Sequence, residues 1–343
     1  MNKRRIGSII ILIIIIAWVI AIVVPSPQSY IGNNPLMVEK NNKPLLIAHG
    51  GGNGEFPDNT LEAFYNAYSV DKNVMMETDV SLTKDGVIIL SHDTTLDRKT
   101  TLTNAPIIET NYSDLIAEEI NFAYHNIVVP NSNGFNQSGD LIEYKTFDGR
   151  TVTPLDINYP EGVTPRHDTI FLATTLEELI ISFPNNRINV EIKQEGEIGS
   201  RALEAVIDLM KQLDKDYNTY ERIVLASFHQ EVYNEMVDYH KKDNRLMYSP
   251  ATEGVIKFFI LQLLSLDVFY NDKVAALQIP KSQSGINLAT KSLVKKAHRH
   301  NIAVHYWTID DESDMRKIIE IGADGIMTNV PSKLAKVLKE ESN

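Results

Sequence analysis

Short β-branched runs alternate with amphipathic stretches along most of this chain. From Pro44 onward, Leu45–His49, Val74–Val80, Val87–Ser91, Ile188–Lys193, Arg222–Ser227, Val274–Ile279, Ile302–Trp307 and Gly325–Thr328 have the length and residue types of buried strands. Helical spacing of apolar positions fills most of the gaps, over Thr60–Val70, Thr175–Ser182, Ser200–Leu213, Gln230–Lys241, Leu288–His300 and Glu312–Ile321. Such alternation requires a parallel sheet faced by helices, either an eight-fold barrel or an open doubly wound sheet. Gly50–Gly54 fits the glycine spacing of a dinucleotide turn badly, and the ionisable residues gather at strand C-termini, where barrels carry their sites. The class expected is therefore α/β, a (β/α)8 TIM barrel over residues 44–343.

Three segments depart from this rhythm. Residues 121–169, rich in Asn, Gly, Pro and Asp, are too long for a structureless loop and predict an inserted subdomain on the active-site face. The uncharged run Ile6–Val24 just crosses a bilayer as a helix, and Lys3, Arg4 and Arg5 before it predict a cytoplasmic N-terminus. Residues 1–24 thus read as an anchor, with a cleaved signal peptide as the rival reading, and 25–43 as a stalk. The protein is expected at the cell membrane, single-pass, with its main domain on the extracellular side. The apolar run Val255–Leu264 is too short to span and predicts a buried helix, with a lipid-facing patch as the rival reading.

Composition narrows the chemistry. The 343 residues include no cysteine, which excludes disulfides, a thiol nucleophile, thiolate metal sites and lipidation through cysteine. A metal would be held by oxygen or imidazole. A formal charge of −12 makes nucleic acid a poor partner.

Glu77 and Asp79 stand two apart in a run expected to be a strand, so both carboxylates project from one face. Buried like charges that close favour a bound divalent cation. Glu191 is a third carboxylate in a second apolar run, with Lys193 on the same face; alone, that pair also reads as a buried salt bridge. Three carboxylates suit Mg²⁺ or Ca²⁺. His49 and His92 each end an apolar run beside this acidic cluster, supplying one group to take a proton and one to give it. Together these residues point to a hard-metal site handling a phosphate ester.

The segments Ala48–Phe64, Glu77–Val80, Thr83–Val87, Ser91–Arg98, Glu191–Lys193, Ser227–Phe228, Trp307–Thr308 and Gly322–Pro331 resemble, in order, the glycerophosphodiester phosphodiesterases. The resemblance covers nearly all of residues 44–343 outside the insertion. It implies metal-dependent hydrolysis of glycerophosphodiesters to glycerol 3-phosphate and an alcohol. It maps the acid/base pair onto His49 and His92, the ligands onto Glu77, Asp79 and Glu191, a phosphate contact onto Lys193 and a pocket wall onto Trp307. The turn after His49 is also similar to the branch acting on lysophospholipids. Two positions depart from the family pattern: Gly50 stands where arginine is common, and Asp58 replaces a glutamate. Both are placed at the substrate side; Asp58 also reads as reaching the metal shell or as favouring the start of the following helix, and Arg98 as a compensating clamp or as a structural residue. A membrane-tethered barrel that binds phosphodiester or lipid head groups without turnover is the competing reading.

Overall fold

The computed structural model describes residue 12 and residues 24–39, 42–131 and 134–341. In chain order the barrel elements are β1 (Leu45–His49), α1 (Leu61–Val70), β2 (Met75–Leu82), α2 (Leu176–Ser182), β3 (Ile188–Ile192), α3 (Gly196–Tyr217), β4 (Ile223–Ala226) and α4 (Gln230–Lys242). They continue as β5 (Met247–Tyr248), α5 (Thr252–Leu263), β6 (Ala276–Pro280), α6 (Lys291–Arg299), β7 (Ala303–Trp307), α7 (Glu312–Glu320), β8 (Gly325–Thr328) and α8 (Pro331–Glu340). The strands are parallel neighbours in the order β5-β4-β3-β2-β1-β8-β7-β6. A backbone bond from Ala275 N to Tyr248 O (2.9 Å) spans the remaining gap, so the barrel is nearly closed. Local chemistry sets the helix starts. Thr60 caps α1, Thr175 and Glu178 form a capping box on α2, Asp311 caps α7 and Pro331 opens α8.

One expected barrel strand is not one. Ile88–Leu90 pairs antiparallel with the far end of β2, because β2 overruns its neighbours to Leu82 and the Thr83–Gly86 turn sends the chain straight back. The eighth barrel strand is instead the two-residue β5, absent from the expected set. The insertion contains an antiparallel hairpin, Tyr124–Asn131 with Gly134–Glu143. Beyond it, the Tyr144 hydroxyl donates to Asn53 O (2.7 Å) and Phe147 N to Gly54 O (2.9 Å), tying the segment to the glycine turn after β1.

The run expected to cross a membrane lies outside the described residues except for Leu12 and Val24; among the described residues no helix is long and apolar enough to cross one. The stretch expected as a stalk is, over 27–38, a cap on the N-terminal end of the barrel. Leu36 is fully buried in one cluster with Ile47, Met75, Val224, Met247, Ala275, Ala303 and Met327, contributed by six strands and the approach to β6. Burying one leucine is worth about 1.5–3 kcal/mol. Polar bonds seat the rest: Asn34 Nδ2 donates to Ala275 O (2.8 Å) and Asn301 O (2.9 Å), Arg187 to Pro35 O (2.6 Å), and Val38 N to Asp324 Oδ1 (3.0 Å). The asparagines and prolines that suggest a spacer are therefore fitted parts of the fold. Helix α5 also differs from the buried helix expected. Phe258 is buried, but Ile256, Ile260 and Leu263 are about half exposed or more (51%, 49% and 67%).

Candidate active site

Strand register builds the acidic centre. His49 pairs with Glu77 across β1 and β2, and Asp79 pairs with Glu191 across β2 and β3. Glu77, Asp79 and Glu191 each offer an oxygen within 4.8 Å of the others, so three acids distant in sequence meet at one point. Glu77 and Asp79 are each 2% exposed. The Lys193 ammonium lies 2.8 Å from Glu191 Oε1 and 3.4 Å from Asp79 Oδ1. With all three carboxylates ionised, as ligands to a metal are, one ammonium leaves two negative charges, which is the charge a dication neutralises.

The electrostatics carry the same mark. Burial first, then Asp79, pushes the Glu77 carboxyl up to about 8, although Gly50 N donates to its Oε2 (2.9 Å). Burial likewise raises Glu191 against the pull of Lys193. Burial would also raise Asp79, but Lys193 outweighs it and holds that carboxyl low. Burial opposes the charge on Lys193, yet Asp79 and Glu191 carry it above the ordinary lysine range. One lysine thus falls short of balancing the cluster, and an oxygen-only donor set of this charge fits a hard divalent cation.

Both imidazoles reach the centre with one nitrogen held. His49 Nδ1 is 2.8 Å from Asn329 Oδ1, and Asn329 Nδ2 donates to Asp310 Oδ2 (2.8 Å), which orients the amide oxygen toward the ring. His49 Nδ1 is therefore the donor, and its Nε2 faces Glu77 at 4.0 Å. His92 arrives on the antiparallel return from β2, its Nδ1 2.8 Å from Asp93 Oδ1. That bond, first among the causes, raises His92 despite burial. Burial would lower His49, but Glu77 and Asp79 raise it.

Two positions placed at the substrate side lie elsewhere. Asp58 is 7% exposed and fully engaged: Arg98 donates to Oδ1 (3.3 Å) and Oδ2 (3.1 Å), and Lys99 Nζ is 3.1 Å from Oδ1. Burial is overcome by these cations, which hold Asp58 well below the usual carboxylate range. Arg98 also binds Asp93 (Nε–Oδ2 2.5 Å), so it braces the His92 partner and is no substitute clamp. Gly50 contributes its N–H to Glu77 rather than a side chain to the cavity. The cavity, about 190 Å³, has the two histidines, three acids and Lys193 at its base, and Trp307 with Phe228 on its wall (ring centroids 6.1 Å, edge to face).

Sequence reasoning missed Asn329 and Asp310, although Asn329 follows β8 at the same rim. It also missed Asn59, whose Nδ2 donates to Asp79 Oδ2 (3.1 Å) while its Oδ1 accepts from Asp79 N (3.1 Å). Its place in Pro57–Thr60 was the available signal.

Residues 49–333 match the glycerophosphoryl diester phosphodiesterase family. The chain is similar to a glycerophosphodiester phosphodiesterase of Caldanaerobacter subterraneus subsp. tengcongensis, 24% identical over 302 residues, covering 87% of this chain and 99% of that one. A lysophospholipase D of Rattus norvegicus is 23% identical over 317 residues, with 86% of each chain covered. Among solved structures, an Oleispira antarctica phosphodiesterase in complex with the product sn-glycerol-3-phosphate superposes with a TM-score of 0.58 at 20% identity, covering 87% of this chain and 97% of that one. A glycerophosphodiester phosphodiesterase from Agrobacterium tumefaciens gives a TM-score of 0.55 at 15% identity, covering 85% and 99%. At these identities the structural likeness is one of fold.

Proposed function

The chain belongs to the glycerophosphoryl diester phosphodiesterase family, a family of phosphoric diester hydrolases, and from that premise we propose how its residues divide the reaction. The substrate is a glycerophosphodiester; the products are sn-glycerol 3-phosphate and an alcohol. The observation that carries this reading is the meeting of Glu77, Asp79 and Glu191 within 4.8 Å beneath two imidazoles whose Nδ1 atoms are both held.

Glu77, Asp79 and Glu191 would hold one divalent cation, Ca²⁺ or Mg²⁺, which when bound neutralises charge on the phosphate. Lys193 meets a phosphate oxygen from the same side. His92, with a carboxylate on Nδ1, keeps its proton and donates it to the departing alkoxide. His49 is held by a neutral amide and raised chiefly by the site's own carboxylates, whose charge a bound dication would offset, so it takes the proton of the attacking hydroxyl, whether from water or from the glycerol of the substrate. Trp307 and Phe228 stack on the carbon skeleton. We further propose that residues 6–24 anchor the protein in the cell membrane, with the barrel outside. The apolar run and the basic cluster Lys3–Arg5 support this, and protease accessibility on intact cells tests it.

The deciding assay offers glycerophosphocholine and, separately, lysophosphatidylcholine to the purified chain with Ca²⁺ or Mg²⁺, then with chelator. Cation-dependent release of glycerol phosphate or lysophosphatidate is expected. No product from either substrate would favour the binding-only reading, for which Gly50 and the fully engaged Asp58 are the specific motives.

A further inference from the structure

The N-terminal end of the barrel carries an apolar surface that the catalytic account leaves unused. Ile256, Ile260 and Leu263 fall at i, i+4 and i+7 of α5 and so lie on one face. Phe269, just past the helix, is 63% exposed, and Ile31 on the cap is 75% exposed. Scattered apolar residues on a surface are ordinary; a helix face of them with an aromatic at its foot marks an interaction site.

One residue joins helix α5, through its buried side, to the N-terminal segment. His300, buried at the foot of α6, has Nδ1 2.8 Å from Pro27 O and Nε2 3.5 Å from Asp267 Oδ2, in the turn that ends at Phe269. Its ring meets Phe258 of α5 edge to face at 5.9 Å between centroids. Ser29 N donates to His300 O (2.8 Å), Gln28 Nε2 to Arg299 O (3.0 Å), and Lys273 Nζ to Gln28 O (2.8 Å). The chain is thus fixed to the base of α5 and α6 by Pro27. From Pro27 back to Val24, the end of the uncharged run, three residues span at most about 11 Å. Whatever embeds residues 6–24 must lie within that reach of Pro27, at the end of the barrel where α5 ends. Lys273 and Arg299, both exposed, lie at the same end; Arg299 is paired with Asp267 (3.7 Å) and Lys273 donates to Gln28 O, so the apolar side chains carry the contact.

We propose that Ile256, Ile260, Leu263 and Phe269, with Ile31, form a lipid-contacting surface that seats the N-terminal end of the barrel on the bilayer holding residues 6–24. The inference rests on the anchor reading above. It adds an orientation: the catalytic mouth, at the opposite end of the strands, opens away from that bilayer into water. The substrates favoured are then water-soluble, deacylated glycerophosphodiesters, since a lysolipid of the same leaflet would have to leave the membrane to reach the mouth.

The absence of cysteine permits a direct test. Single cysteines are placed in the full chain by Ile260→Cys, Phe269→Cys, Phe228→Cys at the mouth, and Ile15→Cys in the apolar run. Each is labelled with an environment-sensitive dye and reconstituted into phosphatidylethanolamine/phosphatidylglycerol vesicles containing brominated lipid. Quenching and a blue shift at 260 and 269, with neither at 228, is the expected result. If 15 is quenched while 260 and 269 behave like 228, the seating is wrong and the anchor stands. If 15 is not quenched, the anchor fails and the seating with it. A blue shift at 260 and 269 without lipid quenching would mean a protein covers the face, which also overturns the proposal.

Discussion

Replacing Asp58 with asparagine separates the two roles this residue can have. The carboxylate is 7% exposed and answers two buried cations, Arg98 and Lys99, with Arg98 shared with Asp93. Asp58→Asn leaves two cations facing one anion, and breaking such a buried pair costs about 3–5 kcal/mol. Burial already pushes the Lys99 ammonium below the ordinary lysine range, so loss of its proton relieves part of the imbalance and favours the lower figure. In a domain of this size 1 kcal/mol moves Tm by about 2 °C, so a fall of about 6 °C is expected. Calorimetry and urea melts measure it, and adding Lys99→Met should recover part of the loss. Cation affinity and kcat, measured below the variant's melting range, should stay close to the parent's. A variant that melts like the parent but loses cation or substrate affinity would refute this reasoning and return Asp58 to the substrate side.

Three other outcomes follow from the geometry. His49→Ala and His92→Ala should each lower kcat by ~10²–10⁴ with unchanged far-ultraviolet circular dichroism, the usual loss for a general acid or base. Asp93 is held at about 2, against burial, by the His92 hydrogen bond and Arg98, below its ordinary 3.8. Its folded value being the lower one, its stabilisation is complete above that ordinary value and is lost as pH falls toward the folded one. Asp93→Asn should therefore flatten the acid limb of a stability–pH curve by about 2 kcal/mol, read by urea melts. Gly50 has φ +54°, and a Cβ there would lie 3.0 Å from Asp58 Cβ. Gly50→Arg should thus destabilise by at least about 1–2 kcal/mol in denaturation and leave kcat/KM no higher than the parent's.

The legible part of the molecule is the part encoded locally. Ile188–Ile192 is β-branched and apolar, and Glu77 with Asp79 carries its shared face in its spacing. Even Glu191 was within reach, because an acid inside an apolar strand needs a reason. Val87–Ser91 looked like a barrel strand since residue type does not report direction; the Asp85–Gly86 turn before it was the sign of a hairpin. Met247–Tyr248 was invisible because two residues carry no period. The occupation of Asp58 depends on partners 40 and 41 positions away, and that of Asn34 on carbonyls more than 240 away. Such pairings are products of the assembled barrel and have no local signature.

Leu36 sets an order on how the molecule is made. It is synthesised before every strand, yet its socket draws on β7 and β8, and Val38 closes on Asp324. At roughly 5–20 residues per second, the ribosome needs roughly 15–60 s to travel from the stopper to the last wall of its socket. Through that interval the earliest apolar segment of the barrel waits unhoused, beside the still more apolar run Ile6–Val24. Docking it is therefore among the final acts of folding, and nascent chains arrested before β8 should be the ones that recruit holdases or clump.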